Sequence, residues 1–461
     1  MASSEKSNGR RLAEFIAASH GRNLPPEVTD AARLCLADWL GVALGARDEP
    51  AGRIVRDTVA GWRSGGSSTV LFGSPAAAPF AALANGALAH CLDFDDTYVA
   101  AVTHVSAPVW AAVLALGEDI GADGNVMLSA FVTGFEVASR AGHGLGEAVT
   151  ARGWHSTGVF GRLGAAAAGA ALLGLDAERA LHALGGAATQ IGGLTASFGT
   201  MAKPFHAGKA AMDGIVAAQL AANGFEAATG LLEPGGGLDN ALVQDGAASF
   251  QPIEFTGWNI LCNSFKPYAA CHLVHPVVDA ARALAARHND IARIDLIRAE
   301  IGALADKVTG GKSGAPSTAL EGKFDLKYCV ALGLHGHDVS AADFREPWRP
   351  DPAVCATAQK VTSVVSPEMG FASARLTLDA RDSVHVPVAK GHPGNPIGWD
   401  DMHRKFSALV EPVLGRRSDT LFGLVREFGC LGVFAEISSL LAEGDPAERS
   451  VSDQPNGRSH E

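Results

Sequence analysis

The stretch GVFGRLGAAAAGAALLG, residues 158–174, allows only one kind of neighbour. Its side chains are mostly methyl groups or hydrogens. A helix built from them buries useful area only if other backbones come very close. GKAAMDGIVAAQLAANG, residues 208–224, has the same texture. Both are expected inside a helical bundle. The first 265 residues read as helix after helix. Pro26 opens one, with Val28, Ala32, Cys35, Trp39 and Val42 at helical spacing. NVMLSAFVTGFEVASRAGHG continues the pattern, with Asn125 as its expected N-cap. No strand alternation and no solenoid-length repeat interrupts this half.

The texture changes after about residue 266. HPVVDAARALAARH reads as a helix, RIDLIRAEIG as a strand and PAVCATAQKVTSVV as a short helix. ASARLTLDARDSVHVPVAK reads as a hairpin, because Ala374, Leu376 and Leu378 alternate and Val384, Val386 and Val388 follow. HPGNPIG then breaks the chain, and Asp400 is expected to cap a helix toward Val413, with two more helices to about Ala442. The expected fold class is mostly α. A large helical domain comes from both chain ends, 1–266 and 395–445. A smaller α+β unit spans 267–394, and 446–461 is a polar tail.

With 47% apolar and 19% charged residues, the chain is globular rather than disordered. A net charge of −12 disfavours nucleic acid and anionic membrane as partners. Neither a signal peptide nor a membrane span is expected. Seven scattered cysteines without a CxxC argue for reduced thiols in a cytoplasm.

Against this background AHCLDFDDTYVAAVTH, residues 89–104, is dense in ionisable groups. If it is helical, Asp93, Asp96 and Thr97 share a face and Asp95 points elsewhere. His104 follows a turn. Further cationic groups sit in Gly/Ala surroundings: His155 in GWHSTG, Lys203 and His206 in AKPFHAG, Lys266 in FKPYAAC, and His272 and His275 in CHLVHP. Any one histidine is more often a cap or a satisfied core group, and most lysines are solvated. Lys203 and Lys266 fit that poorly, since each precedes a proline and is expected at a helix break.

A metal site and an acid–base site compete to explain the cluster. The aspartates lack EF-hand spacing. His272 and His275 lack the glutamate of HExxH, although with Cys271 they could serve a zinc hydrolase. EPGGGLDN, residues 233–240, is a loop without the lysine of a phosphate cradle. No GxSxG elbow or GxGxxG fingerprint occurs. What remains is an acid–base site for a guest with several carboxylates, which would keep buried lysines charged.

Together these segments resemble the MmgE/PrpD family over roughly residues 10–442. LADWLGVALGA, ANGALAHCLDFDDTYVAAVTHVSAPV, GWHSTGVFGRLGAAAA, FGTMAKPFHAGKAA, FKPYAACHLVHP, KFDLKYCVA and HPGNPIGWDDMHRKF carry the likeness. The resemblance implies a helical domain with an α+β lid, a homodimer, and no metal or organic cofactor. It implies a lyase of small di- or tricarboxylates: dehydration of 2-methylcitrate first, with decarboxylation of cis-aconitate or epimerisation of iminodisuccinate on the same site as alternatives. A non-catalytic carboxylate binder is a further reading. The implied catalytic groups are His104, Asp93, His155 and Tyr328, with His104 leading and Asp93 as its partner. Thr97, Lys203, Lys266 and His272 would bind substrate. Val105 stands where the family often has proline, EPGGGLDN replaces a more usual loop, and FKPY looks closer to shorter bacterial members, which weighs against decarboxylation.

Overall fold

The computed structural model describes residues 7–442, apart from 289 and 346. The tail expected at 446–461 lies outside the described residues. The chain is helix-rich, with one small four-stranded sheet.

The Ala/Gly texture has its physical outcome at the centre. The helix Ser156–Leu172 is buried along its whole length. It packs between Gly124–Gly142 and Ala202–Ala222, while Ala78–Ala89 and Ser106–Asp119 complete the group. Glycines set these distances. A β-carbon on Gly164 would lie 2.7 Å from the Gly134 carbonyl oxygen, and one on Gly134 would lie 2.6 Å from that of Gly164. A β-carbon on Gly208 would collide with the Leu83 carbonyl oxygen. These helices meet backbone to backbone, and dispersion between close-packed methyl groups replaces the area that larger side chains would bury.

The late helices pack on the early ones. Trp399–Leu414 and Arg417–Arg426 both lie against Pro26–Gly45. The Trp399 indole donates to Asp30 at 3.0 Å. The sheet consists of β1 (Ile297–Ile301), β2 (Val361–Val365), β3 (Ala374–Leu378) and β4 (Asp382–Val386), in the order β2-β1-β3-β4. β1 and β2 are parallel, and the other pairings are antiparallel. The hairpin register puts Leu376 opposite Val384. Ala374, Leu376 and Leu378 are buried, and the helix His275–Ala285 packs on β3 and β4.

Three local expectations are corrected. PAVCATAQKVTSVV is a helix only over Pro352–Ala358, and then becomes β2. Val361, Thr362, Val364 and Val365 are β-branched, and the free edge of β1 supplies their backbone partners. The N-cap of Gly124–Gly142 is Asp123, not Asn125; its carboxylate accepts from the backbone N–H of Asn125 and Val126 at 2.9 and 3.0 Å. Gly398 is the N-cap of Trp399–Leu414, and Asp400 sits in the first turn, where a carboxylate favours the helix dipole. Among the described residues no helix is long and apolar enough to cross a membrane.

The backbone contact at Gly164 generates a test. Alanine is the better helix former by about 1 kcal/mol, so propensity alone predicts that Gly164→Ala stabilises. The close contact predicts the opposite, a loss of about 1–3 kcal/mol. Urea unfolding of both proteins decides between them, and a stabilised variant would show that the helices separate at no cost.

Candidate active site

The segment that begins at His90 is not a helix. Ala78–Ala89 ends there, and residues 91–96 run irregularly. Asp93 has φ 52° and Val102 has φ 51°, both left-handed. Aspartate tolerates that region; a β-branched valine there is strained. Thr97 and Ser264 exchange backbone hydrogen bonds at 2.8 and 3.0 Å. This pairing ties DFDDT to FKPY and brings Asp93 to Lys266.

The irregular path also overturns the shared-face expectation. Asp96 turns away from Asp93, accepting from the Ser106 hydroxyl and, at 2.5 Å, from the Asn263 amide. Asp95, expected to point elsewhere, faces the histidines. Its Oδ2 lies 2.8 Å from His90 Nδ1 and 3.2 Å from His104 Nδ1.

Asp93 collects two cations. Lys203 donates to Oδ1 at 2.5 Å. Lys266 donates to the same oxygen at 2.9 Å and to the Asp93 carbonyl at 2.7 Å. All three side chains are buried. Burial pushes the Asp93 carboxyl up, but the Lys203 and Lys266 ammonium groups, with His104 and His90, hold it well below the usual carboxylate range. Burial likewise disfavours the Lys266 cation, and Asp93 and Asp95 more than reverse that. So the protein's own carboxylate, rather than a guest's, keeps Lys266 charged. Lys203 lies in the first turn of Ala202–Ala222 rather than at a break, between the rings of Phe198 at 5.4 Å and Phe324 at 5.1 Å. Lys266 lies in irregular chain.

These groups line a cavity of about 590 Å³ of empty space, its open mouth included. Asp93, Thr97, His104, His155, Lys203, Lys266 and His272 all reach it. Tyr328 does not: its ring packs on Trp348 and Phe344, with centroids 5.7 and 6.4 Å away. His104 Nε2 lies 4.0 Å from Asp93 Oδ1, so Asp95 is its nearer carboxylate. Thr97 Oγ1 is 3.5 Å from His104 Nδ1. His155 is the N-cap residue of Ser156–Leu172, and its Nδ1 is 3.0 Å from His206 Nδ1. Burial, helped by His90 and Lys203, keeps His155 neutral. Burial also lowers His90 to about 4 and His272 well below the usual imidazole range.

Beyond the expected residues, the site draws on His90, Asp95, Phe198, Phe324 and Lys405. His90 and Asp95 lay inside the stretch dense in ionisable groups, but only its irregular path points them inward. Lys405 sits beneath. It donates to Asp38 at 2.6 Å, to the Phe94 carbonyl at 2.6 Å and to the Lys266 carbonyl at 3.0 Å.

His90, Asp95 and His104 place three potential ligand atoms within 4.8 Å of one another, the one such group among the described residues. His272 and His275 belong to none. Asp95 already engages the Nδ1 of both imidazoles, and two lysines stand close by on Asp93. A divalent ion would have to displace those bonds and add charge to a buried cluster.

The fold and the site therefore define a helical protein with a buried cluster of acids, ammonium groups and imidazoles on one cavity. The MmgE/PrpD N-terminal domain matches residues 10–251, and the MmgE/PrpD C-terminal domain matches residues 268–424. The chain belongs to the MmgE/PrpD family. It is 28% identical over 402 residues to a cis-aconitate decarboxylase of Aspergillus terreus, covering 80% of this chain and 82% of the relative. It is 27% identical over 365 residues to that of Mus musculus, covering 75% and 74%. It is 26% identical over 389 residues to that of Homo sapiens, covering 80% of each.

Asp96 generates a pH prediction. Burial, then Asp38, raise its carboxyl to about 7, against Ser106 and Asn263. A raised carboxyl holds its proton in the folded protein where the unfolded chain has lost it. Its stabilising contribution is present at low pH and disappears as pH rises through about 7. Asp96→Asn cannot lose that proton. The melting temperature of Asp96→Asn minus that of wild type should rise between about pH 5 and 8. A constant difference would show that Asp96 does not titrate there.

Proposed function

We propose that this protein is a lyase that binds a small di- or tricarboxylate and moves a proton at the carbon beside one of its carboxylates. The observation that carries the reading is the convergence of Lys203 and Lys266 on Asp93, next to His104 Nε2. An ammonium group has three N–H donors. Lys203 uses one on Asp93 and Lys266 uses two, so both retain capacity for a guest carboxylate without releasing Asp93.

The geometry supports the following roles. An ionised Asp95 accepts from Nδ1–H of His104, which leaves Nε2 unprotonated and turned toward Asp93 and the cavity. Nε2 takes the proton from the substrate carbon. The adjacent carboxylate, held by the lysines, takes up the electron pair as an enolate. In dehydration of a 2-hydroxy polycarboxylate such as 2-methylcitrate, the electron pair returns to form the C=C bond. The C–O bond breaks, and the proton on His104 leaves with hydroxide as water. Thr97, His155 and His272 position the substrate. Tyr328 has no role in this reading.

Decarboxylation is the second reading, favoured by the names of the relatives, which outweigh the FKPY argument against it. There the C–C bond breaks, CO2 leaves, and a proton from water, delivered by His104, takes its place on carbon.

Incubation with citrate, 2-methylcitrate, cis-aconitate and iminodisuccinate, followed by NMR and mass spectrometry, tests the reading. Loss of water, loss of CO2, or exchange at the α-carbon alone identifies dehydratase, decarboxylase or epimerase. No change in any of the four overturns it. Activity that chelators remove together with stoichiometric zinc would overturn the acid–base account.

With a substrate in hand, His104→Ala should lower kcat by about 10³-fold or more, and wild-type kcat would remove His104 from the mechanism. Asp95→Asn should lower kcat by about 10²–10⁴-fold with little change in KM. It should also move the His104 proton from Nδ1 to Nε2, visible in the imidazole ¹⁵N shifts; an unmoved tautomer would refute the positioning role.

A further inference from the structure

The inner cavity lies beside a larger one. A second cavity, of about 1210 Å³ including its open side, shares Thr150, Phe198, Leu304, Val308 and Phe324 with it. These shared residues form the wall between an outer vestibule and the inner site. Leu304 and Val308 belong to the turns Ala303–Ala305 and Asp306–Gly310, the second of them a π-helical turn. Phe198 comes from the matched N-terminal domain and Phe324 from the C-terminal one. Their ring centroids are 6.0 Å apart, with Lys203 behind both.

The vestibule carries charge that the reaction does not use. Lys307, exposed, and Lys312, half-buried, line it. No hydrogen bond or ion pair engages either ammonium group among the described residues. Glu321 is the one acid on the wall; its carboxylate accepts from the Ser317 N–H at 2.8 Å and hydroxyl at 2.7 Å, and Lys312 is close enough to favour its charged form. The surroundings are otherwise adverse to a polyanion, since the chain carries −12 overall. At physiological salt, charges act over about 8 Å, so local cations decide what collects at the mouth. The inner wall is apolar, so a carboxylate that crosses it must leave water behind. A cationic holding point outside shortens that step.

We propose that the vestibule is an outer anion-recruiting subsite: Lys307 and Lys312 hold a di- or tricarboxylate before it passes between Phe198 and Phe324 to Lys203. The proposal rests on the reading of the inner site as a carboxylate site. It makes number of charges, rather than shape, the first filter on substrates. A tricarboxylate gains more from the vestibule than a dicarboxylate, and a neutral analogue gains nothing.

The test is the charge-reversed double variant Lys307→Glu/Lys312→Glu, with Lys307→Gln/Lys312→Gln as a milder companion and Arg416→Glu, which changes the net charge as much as that companion does, as a control for overall charge. For whichever carboxylate the screen identifies, kcat/KM of the reversed variant should fall about tenfold at low salt, mostly through KM. It should converge on wild type at high salt. The neutral double variant should fall less, and the control should match wild type. Calorimetry with tricarballylate, which has no hydroxyl to eliminate and no double bond, reads the same subsite without turnover. Its Kd should weaken by a similar factor in the reversed variant. Binding that weakens while no screened compound reacts would sustain the vestibule and sink the lyase reading. Turnover with unchanged kcat/KM, salt slope and Kd would overturn the vestibule and leave the lyase reading standing. No binding of tricarballylate to wild type, or an equal loss in the control, would also overturn it.

Discussion

The buried carboxylate of Asp93 is the interaction on which the site depends. Two lysines are taken out of water around it, and each alone would cost several kcal/mol to bury as a cation. One oxygen, Oδ1, accepts from both ammonium groups, and the Asp93 carbonyl accepts from Lys266 again. The arrangement holds two ammonium groups inside an apolar bundle. Its other oxygen, Oδ2, is buried without a hydrogen-bond partner among the described residues. The left-handed backbone at Asp93 is part of the same construction, because it turns the carboxylate and its carbonyl toward the same lysine.

A second buried pair holds the first in place. Lys405, from the helix Trp399–Leu414, pairs with Asp38 of Pro26–Gly45, and also donates to the carbonyls of Phe94 and Lys266. One ammonium group thus ties an early helix, the DFDDT segment and the FKPY segment to a late helix. Burial weakens the Lys405 cation and raises the Asp38 carboxyl, while each pulls the other back toward its charged form. Such a pair contributes little net stability against an apolar replacement, yet removing one partner strands the other. Its worth is in register: it sets where Lys266 stands relative to Asp93.

The polar centre and the apolar bundle are consequences of one another. Helices that meet backbone to backbone at Gly134 and Gly164 make the bundle around the site closely packed and apolar. The charges that remain are paired with one another, Asp93 with Lys203 and Lys266 and Asp95 with His90 and His104. Phe198, Phe324, Leu304 and Val308 line both the site's cavity and the larger one beside it.

Much of this was legible in the residues alone. Small side chains at helical spacing dictate close helices, because nothing else buries them. Alternating apolar residues dictate the β3–β4 hairpin, because a pleated strand has period two. Lysines and histidines amid alanine and glycine mark a site, because such groups are otherwise costly to bury. The finer assignments were not legible. A helical reading of DFDDT put Asp96 beside Asp93 and turned Asp95 away, whereas the folded loop does the reverse. KYCVA placed Tyr328 in the site by resemblance, yet its ring lies among Trp348 and Phe344. Which carboxylate faces which imidazole depends on a bridge from Thr97 to Ser264, and Lys405 reaches Asp38 across 367 residues of chain. Local pattern reports what a segment must bury; only contacts between distant segments decide which way an irregular loop points its charges.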